Sequence, residues 1–166
     1  MDATWRTILW RQFGASIDML ENAVRACPEE LWGDRTKNPE FWYVTYHTLF
    51  WLDFYLTGKE EGFAPPPPFT LDEFDPAGVL PERVYTKQEM LDYLARGREK
   101  CRAVLNDLTD ERAGEHCAFP WGELSFGELL LDNMRHVQHH TAQLNLILRQ
   151  QTDSAPRWVA MTKREL

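Results

Sequence analysis

Three histidines lie close together near the C-terminal end of the chain. The segment RHVQHHTAQ contains His136, His139 and His140, with Gln143 three residues further on. If the segment is helical, each residue turns by about 100°, so all four side chains fall within roughly a third of the circumference. Two imidazoles at positions i and i+4 can reach one metal ion, which is the spacing that zinc-binding helices of metalloproteases use. The segment therefore predicts part of a metal site.

A zinc site needs three or four ligands, so another element must complete it. His47 is the best candidate, because it interrupts the strongly aromatic run WYVTYHTLFW. A core histidine satisfied by one hydrogen bond is the alternative interpretation of His47. The adjacent His116 and Cys117 compete for the same role, since imidazole and thiolate both bind zinc. They fall in a predicted loop, where side chains are held less rigidly than on a helix.

Several other catalytic sites do not fit the sequence. A di-iron carboxylate bundle needs Glu-x-x-His on two helices, and none of the five histidines has an acidic residue three positions before it. No G-x-S-x-G segment supports a serine hydrolase. A Cys–His nucleophilic pair formed by His116 and Cys117 is weakly supported, because neighbouring residues rarely point at each other.

Apolar spacing and capping residues predict four long helices. The first spans residues 4–26 and ends before Pro28, which cannot continue a helix. The second runs from Pro39, with Asn38 as its cap, to about Thr57, where Gly58 is a typical C-terminal stop. The sequences TKQE (residues 86–89) and SFGE (residues 125–128) are capping boxes that begin the third and fourth helices, and the fourth extends to about Gln150.

The segments between these helices are predicted to be loops. Residues 59–85 hold six of the ten prolines and form either a plain connector or a lid over a substrate. Residues 109–124 show little periodicity, and a short helical turn is expected around Trp158. No strand pattern of useful length appears, so the expected fold class is all-α, a four-helix bundle.

Composition limits the classes of partner. The chain has 166 residues, a net charge of −8 and a pI near 5.1, so it lacks the basic surface that nucleic acid requires. Its three cysteines form no C-x-x-C pair, which indicates a reduced protein. No apolar run is long enough to span a membrane, and no signal peptide is visible. We expect a single cytoplasmic domain over residues 1–166.

Two segments together resemble the DinB superfamily of bacterial four-helix proteins. They are WYVTYHTLFWLDFYL around His47 and HVQHHTAQLNLILR around the histidine cluster. The resemblance covers the helical order of most of the chain, although its specific motifs are these two segments alone. It implies an up-down-down-up bundle with a long crossover at 59–85, and a homodimer. It also implies Zn²⁺, Ni²⁺ or Mn²⁺ bound by His47, His136 and His140, with His139 as a neighbour.

The resemblance further implies a small-molecule reaction. Similar proteins include bacillithiol- and mycothiol-dependent transferases and maleylpyruvate isomerases, so a low-molecular-weight thiol is the expected partner. A metal-dependent hydrolase is the alternative, as is a non-catalytic, metal-stabilised module with a stress-response role. No glutamate stands beside the histidine pair as a base for water attack, which favours thiol chemistry or simple Lewis-acid activation. Asp132 and Gln143 are candidate catalytic residues, and Asn133 and Arg135 are weaker candidates for supporting or substrate-binding roles.

Overall fold

The computed structural model describes residues 1–166 and is mainly helical, as predicted, and its four long helices are consistent with the predicted bundle. Its helices are α1 (Ala3–Ala26), α2 (Glu29–Trp32), α3 (Phe41–Thr57), α4 (Lys87–Asn106), α5 (Asp110–Ala113) and α6 (Phe126–Thr152), with one turn of 3-10 helix at Asp72–Phe74. Two short strands, β1 (His116–Phe119) and β2 (Gly122–Ser125), form an antiparallel hairpin. The four long helices pack together, and α1 and α3 each contact both α4 and α6.

Hydrogen bonds between helices show their relative directions. The Arg6 guanidinium of α1 donates to the Asn106 carbonyl at 2.8 Å, and Lys87 donates to the Cys27 carbonyl at 2.7 Å, so α1 and α4 are antiparallel. The long loop 59–85 then lets α3 and α4 run in the same direction. In that pair, residue 53 lies beside residue 93, and residue 57 beside residue 100.

Three predicted helix ends agree with the structure. The hydroxyl of Thr86 accepts from the Glu89 backbone N–H at 3.2 Å, and the hydroxyl of Ser125 accepts from that of Glu128 at 3.3 Å. Both glutamates complete their capping boxes. Gly58 ends α3 in the left-handed conformation at φ +80°. A Cβ there would lie 3.0 Å from the Phe126 ring, so both backbone conformation and packing favour glycine.

The predicted start of α3 is wrong by two residues. The helix begins at Phe41 rather than Pro39, and Asn38 does not cap it. Glu40 occupies the N-cap position, but its carboxylate accepts from the Trp42 indole at 2.6 Å instead of from the first turn of the helix. The contact between Glu40 and the Trp42 ring thus outweighs the helix-start signal of Asn38 and Pro39.

The predicted loop at 109–124 contains more structure than expected. Besides α5, it holds the hairpin, in which residue 116 pairs with residue 125 and residue 119 with residue 122. Pro120 and Trp121 form the two-residue connection between the strands. Each strand has only four residues, which is too short for an alternating pattern to be recognised in the sequence.

The C-terminal tail has no helical turn at Trp158, which corrects the expectation for that segment. The tail instead packs along α1 without regular secondary structure. The Thr162 backbone N–H donates to the Arg11 carbonyl at 2.9 Å, and the Trp10 indole donates to the Arg164 carbonyl at 2.8 Å. These hydrogen bonds hold the tail against α1 although it has little regular secondary structure.

Aromatic side chains fill much of the core between the helices. Three tryptophans, Trp10, Trp32 and Trp42, are buried, whereas Trp5, Trp121 and Trp158 are exposed.

None of the helices combines the length and apolar character needed to cross a membrane.

Candidate metal centre

Helices α3 and α6 bring the three predicted ligands together. Nε2 of His47 lies 3.2 Å from Nε2 of His136, and the His140 ring centroid is 4.7 Å from that of His47. One ring nitrogen from each residue lies within 4.8 Å of those of the other two. The buried Asn133 amide of α6 donates to the Leu52 carbonyl of α3 at 3.0 Å and holds the two helices in register. The structure therefore positions three imidazoles to bind a metal ion.

The separation of the His47 and His136 nitrogens fits a shared tetrahedral ion. Two nitrogens that each lie about 2.0–2.1 Å from a tetrahedral zinc ion are about 3.3 Å apart. The observed 3.2 Å between the His47 and His136 nitrogens matches that value. Imidazole nitrogen is a common ligand of zinc and of other transition metals, so the three residues form a donor set that suits a shared cation.

Glu73 contacts the histidine cluster, which sequence reasoning did not predict. Its carboxylate accepts from Nδ1 of His47 at 2.6 Å and from the Trp51 indole at 2.9 Å, and its side chain is only 4% exposed. Because Nδ1 carries the proton, Nε2 of His47 presents its lone pair to the cluster. A carboxylate that orients a metal-binding histidine in this way is a common second layer of metal sites. Nothing local in the Pro-rich loop marks Glu73 for this role.

Burial raises the pKa of the Glu73 carboxyl, but the opposing effects are larger. Hydrogen bonds from His47, Trp51 and Tyr43 hold that pKa below its ordinary value. Glu73 is therefore an anion at neutral pH, and its charge would compensate part of the charge of a cation held by the three histidines.

Gln143 plays the corresponding part for His140. Nδ1 of His140 donates to the Gln143 side-chain oxygen at 2.7 Å, which leaves Nε2 of His140 free to bind. The Gln143 amide nitrogen lies 3.3 Å from Nε2 of His139. The exposed His139 thus lies outside the three-histidine cluster, although its ring also packs edge-to-face against His140 at 5.0 Å between centroids.

Burial keeps the helix α6 imidazoles in the form that binds metals. Burial and the neighbouring imidazoles, His140 first among them, lower the pKa of His136 to about 3. Burial also lowers the pKa of His140, although its hydrogen bond to Gln143 opposes this. Both rings are neutral at physiological pH, as ligation requires. Nδ1 of His136 is buried and has no hydrogen-bond partner in the protein.

The remaining sequence candidates lie around or away from the cluster. Asp132 is one turn before His136 and lies 3.6 Å from the Arg135 guanidinium, so its charge is partly compensated. Both residues line an open depression of about 540 Å³ that also includes His136 and His139. A catalytic role for Asp132 or Gln143 stays a prediction.

His116 and Cys117 do not join the cluster. His116 lies on β1, where it is exposed and pairs with Glu123 at 3.2 Å. Cys117 is buried and its thiol faces the Glu115 carbonyl, and burial raises the pKa of that thiol. Neither residue belongs to the group that can hold an ion.

Comparison with known proteins agrees with this geometry. The family model described as the DinB superfamily matches residues 12–144, which include all three clustered histidines and Glu73. No curated protein matches the chain significantly. The family match covers most of the chain, and the chain therefore belongs to the DinB superfamily.

Proposed function

We propose that the protein is a metal-dependent enzyme that transfers a low-molecular-weight thiol to an electrophilic small molecule. The observation that carries this proposal is the set of three converging imidazoles, two of them held with Nε2 towards the cluster, without a free carboxylate base beside them. His47, His136 and His140 hold the ion, which is Zn²⁺, Ni²⁺ or Mn²⁺. When bound, such an ion supplies Lewis acidity that lowers the pKa of a coordinated thiol.

The protein groups around the cluster have positioning roles. Glu73 keeps the proton on Nδ1 of His47, and Gln143 accepts the proton on Nδ1 of His140, so both Nε2 atoms point inward. In the proposed reaction the thiol loses its proton to solvent and its sulfur bonds to an electrophilic carbon. The leaving group departs with the electron pair of the broken bond.

The alternative of a hydrolase is less well supported. Activation of water needs a general base within hydrogen-bond reach of the reacting water. The carboxylates of Glu73 and Asp132 beside the cluster already have partners, because Glu73 accepts from His47 and Trp51, and Asp132 lies beside Arg135. A thiol needs no such base, because its own pKa is already near 8.5 and falls further on a metal.

The test begins with protein purified without an affinity tag and analysed for metal by mass spectrometry. We expect close to one equivalent of a divalent metal per chain. The protein is then assayed with cysteine, glutathione or bacillithiol and the electrophile chlorodinitrobenzene, with EDTA-treated protein and His136→Ala as controls. Thiol conjugation that depends on metal and on His136 supports the proposal. Bound metal without conjugation for any thiol contradicts the transferase, and absence of metal favours a non-catalytic helical module.

A further inference from the structure

A second cavity, of about 330 Å³, opens on the side of α3 next to the metal centre. Its volume lies at the lower end of the usual range of about 300–1,000 Å³ for small-molecule sites. Three separate parts of the chain enclose it: α3, the long loop 59–85 and the tip of the β-hairpin. The lining residues are Trp51, Phe54, Glu60, Glu73, Phe74, Phe119, Pro120 and Trp121.

The aromatic rings form a continuous wall around this cavity. Phe54 packs edge-to-face against Phe74 at 4.9 Å between centroids and against Phe119 at 5.4 Å. Trp121 stacks on Phe119 at 5.2 Å and 8°, yet half of Trp121 remains exposed at the hairpin tip. Trp51 closes the side nearest the histidines, with its ring 5.9 Å from Phe74. The ligand space is therefore bounded by aromatic rings contributed by three elements.

The charges that line the cavity are all negative. Glu60 and Glu73 are its only ionisable lining residues. One oxygen of Glu73 accepts from His47 and Trp51, and Glu60 is exposed at the rim. The nearby Lys59 pairs with Glu61 rather than with Glu60. Aromatic faces and carboxylates both attract cations, and neither favours an anion.

We propose that this aromatic cavity binds a small organic cation that carries an alkylated ammonium group. Quaternary ammonium groups are recognised by cages of aromatic rings, where the face of Trp is the strongest partner. The Glu60 carboxylate adds attraction at the mouth of the cavity. The site does not require the metal, because none of the three clustered histidines lines it.

The test compares two probes of the same shape, choline and its uncharged isostere 3,3-dimethylbutanol. Titration calorimetry is carried out on the metal-free protein in EDTA, so that failure of the metal site does not affect the result. We expect choline to bind at least tenfold more tightly than the alcohol. Equal affinities, or no binding of choline at millimolar concentration, would overturn the proposal.

Variants at the hairpin tip separate cation–π attraction from simple apolar contact. Trp121 is half exposed and is the least buried of the cavity's aromatic rings, so its substitution removes the fewest core contacts. Trp121→Phe should retain binding of choline, whereas Trp121→Leu should weaken it about five- to tenfold. Glu60→Gln should weaken the binding of choline more than that of the alcohol. Trp5 is an exposed tryptophan outside the cavity, so Trp5→Ala should leave the affinity for both probes unchanged. Equal binding by Trp121→Leu and Trp121→Phe would show that the aromatic face is not recognised and would overturn the assignment.

Discussion

Glu73 and Nδ1 of His47 lie 2.6 Å apart, although Glu73 belongs to the Pro-rich loop and His47 to the middle of α3. Through this contact the loop 59–85 reaches the metal centre, so it is more than a plain connector between two helices. The contact also fixes which nitrogen of His47 faces the other imidazoles. Nothing in the contact shows the loop moving as a lid.

The first prediction concerns Glu73. Glu73→Gln keeps an oxygen for Nδ1 of His47 but removes the negative charge behind the ligand. We expect metal affinity to fall about 10–100-fold, as is typical for loss of such a partner. Competition with a fluorescent chelator measures this. Glu82→Gln, an exposed position in the same loop, is the matched control and should bind metal as the unmodified protein does.

A second prediction separates the clustered histidines. His47→Ala, His136→Ala and His140→Ala should each abolish stoichiometric metal binding, because each removes one of three converging nitrogens. His139→Ala should retain the metal, since no ring nitrogen of His139 belongs to the converging group. Metal analysis of the purified variants provides the measurement. The assignment of ligands is wrong if His139→Ala loses the metal while His140→Ala keeps it.

Metal removal should lower the melting temperature. The ligands come from α3 and α6, so the site exists only in the folded state. A ligand at 1,000 times its Kd then adds about 4 kcal/mol to the free energy of unfolding, which corresponds to roughly 8–16 °C for a chain of this size. Calorimetry with and without EDTA tests this, and His136→Ala should show no such difference. An unchanged melting temperature after verified metal removal would show that the metal does not stabilise the folded state.

The pH dependence of stability should reflect the start of α4. Hydrogen bonds from Arg83, followed by those of the Thr86 cap, lower the pKa of Glu89 to about 2 from a model-compound value of 4.5. A carboxyl with a depressed folded-state pKa stabilises the protein above its unfolded pKa, and this contribution is lost as the pH falls from about 4.5 to about 2.

We therefore expect the melting temperature of Glu89→Gln to change less between pH 5 and pH 2 than that of the unmodified protein. The measurement is made in EDTA so that metal release does not contribute. Glu128→Gln is the matched control, because Glu128 completes the other capping box without an arginine partner. A steeper acid transition in Glu89→Gln than in the unmodified protein would be the opposite of this prediction.

Dimerisation is the fifth prediction. Ile8 on α1 and Leu131 on α6 are 43% and 45% exposed, and Trp5 and Trp158 are also exposed. Light scattering at micromolar concentration should give twice the 19.5 kDa mass of the chain. Leu131→Glu should yield the monomer, whereas Val79→Glu, an exposed loop position, should not. A monomeric unmodified protein would rule out this assembly under those conditions.

Much of the secondary structure could be predicted from the sequence because its signals are local. The capping boxes at Thr86 and Ser125 each use groups three residues apart. Gly58 adopts the left-handed conformation that ends α3, which depends on that residue alone. The i, i+4 spacing of His136 and His140 is likewise a property of one helix. Such features act within one or two turns, so the sequence alone determined them.

Tertiary structure decided the features that depend on distant residues. Glu73 acquires its role only because loop 59–85 folds back over α3, and Asn38 loses its predicted role because packing selects a later start for that helix. The hairpin that carries Trp121 depends on pairing between strands too short to be recognised individually. Burial of the His136 ring, which keeps it neutral, likewise arises from the packing of α3 against α6. These properties are set by contacts between elements, which no local pattern encodes.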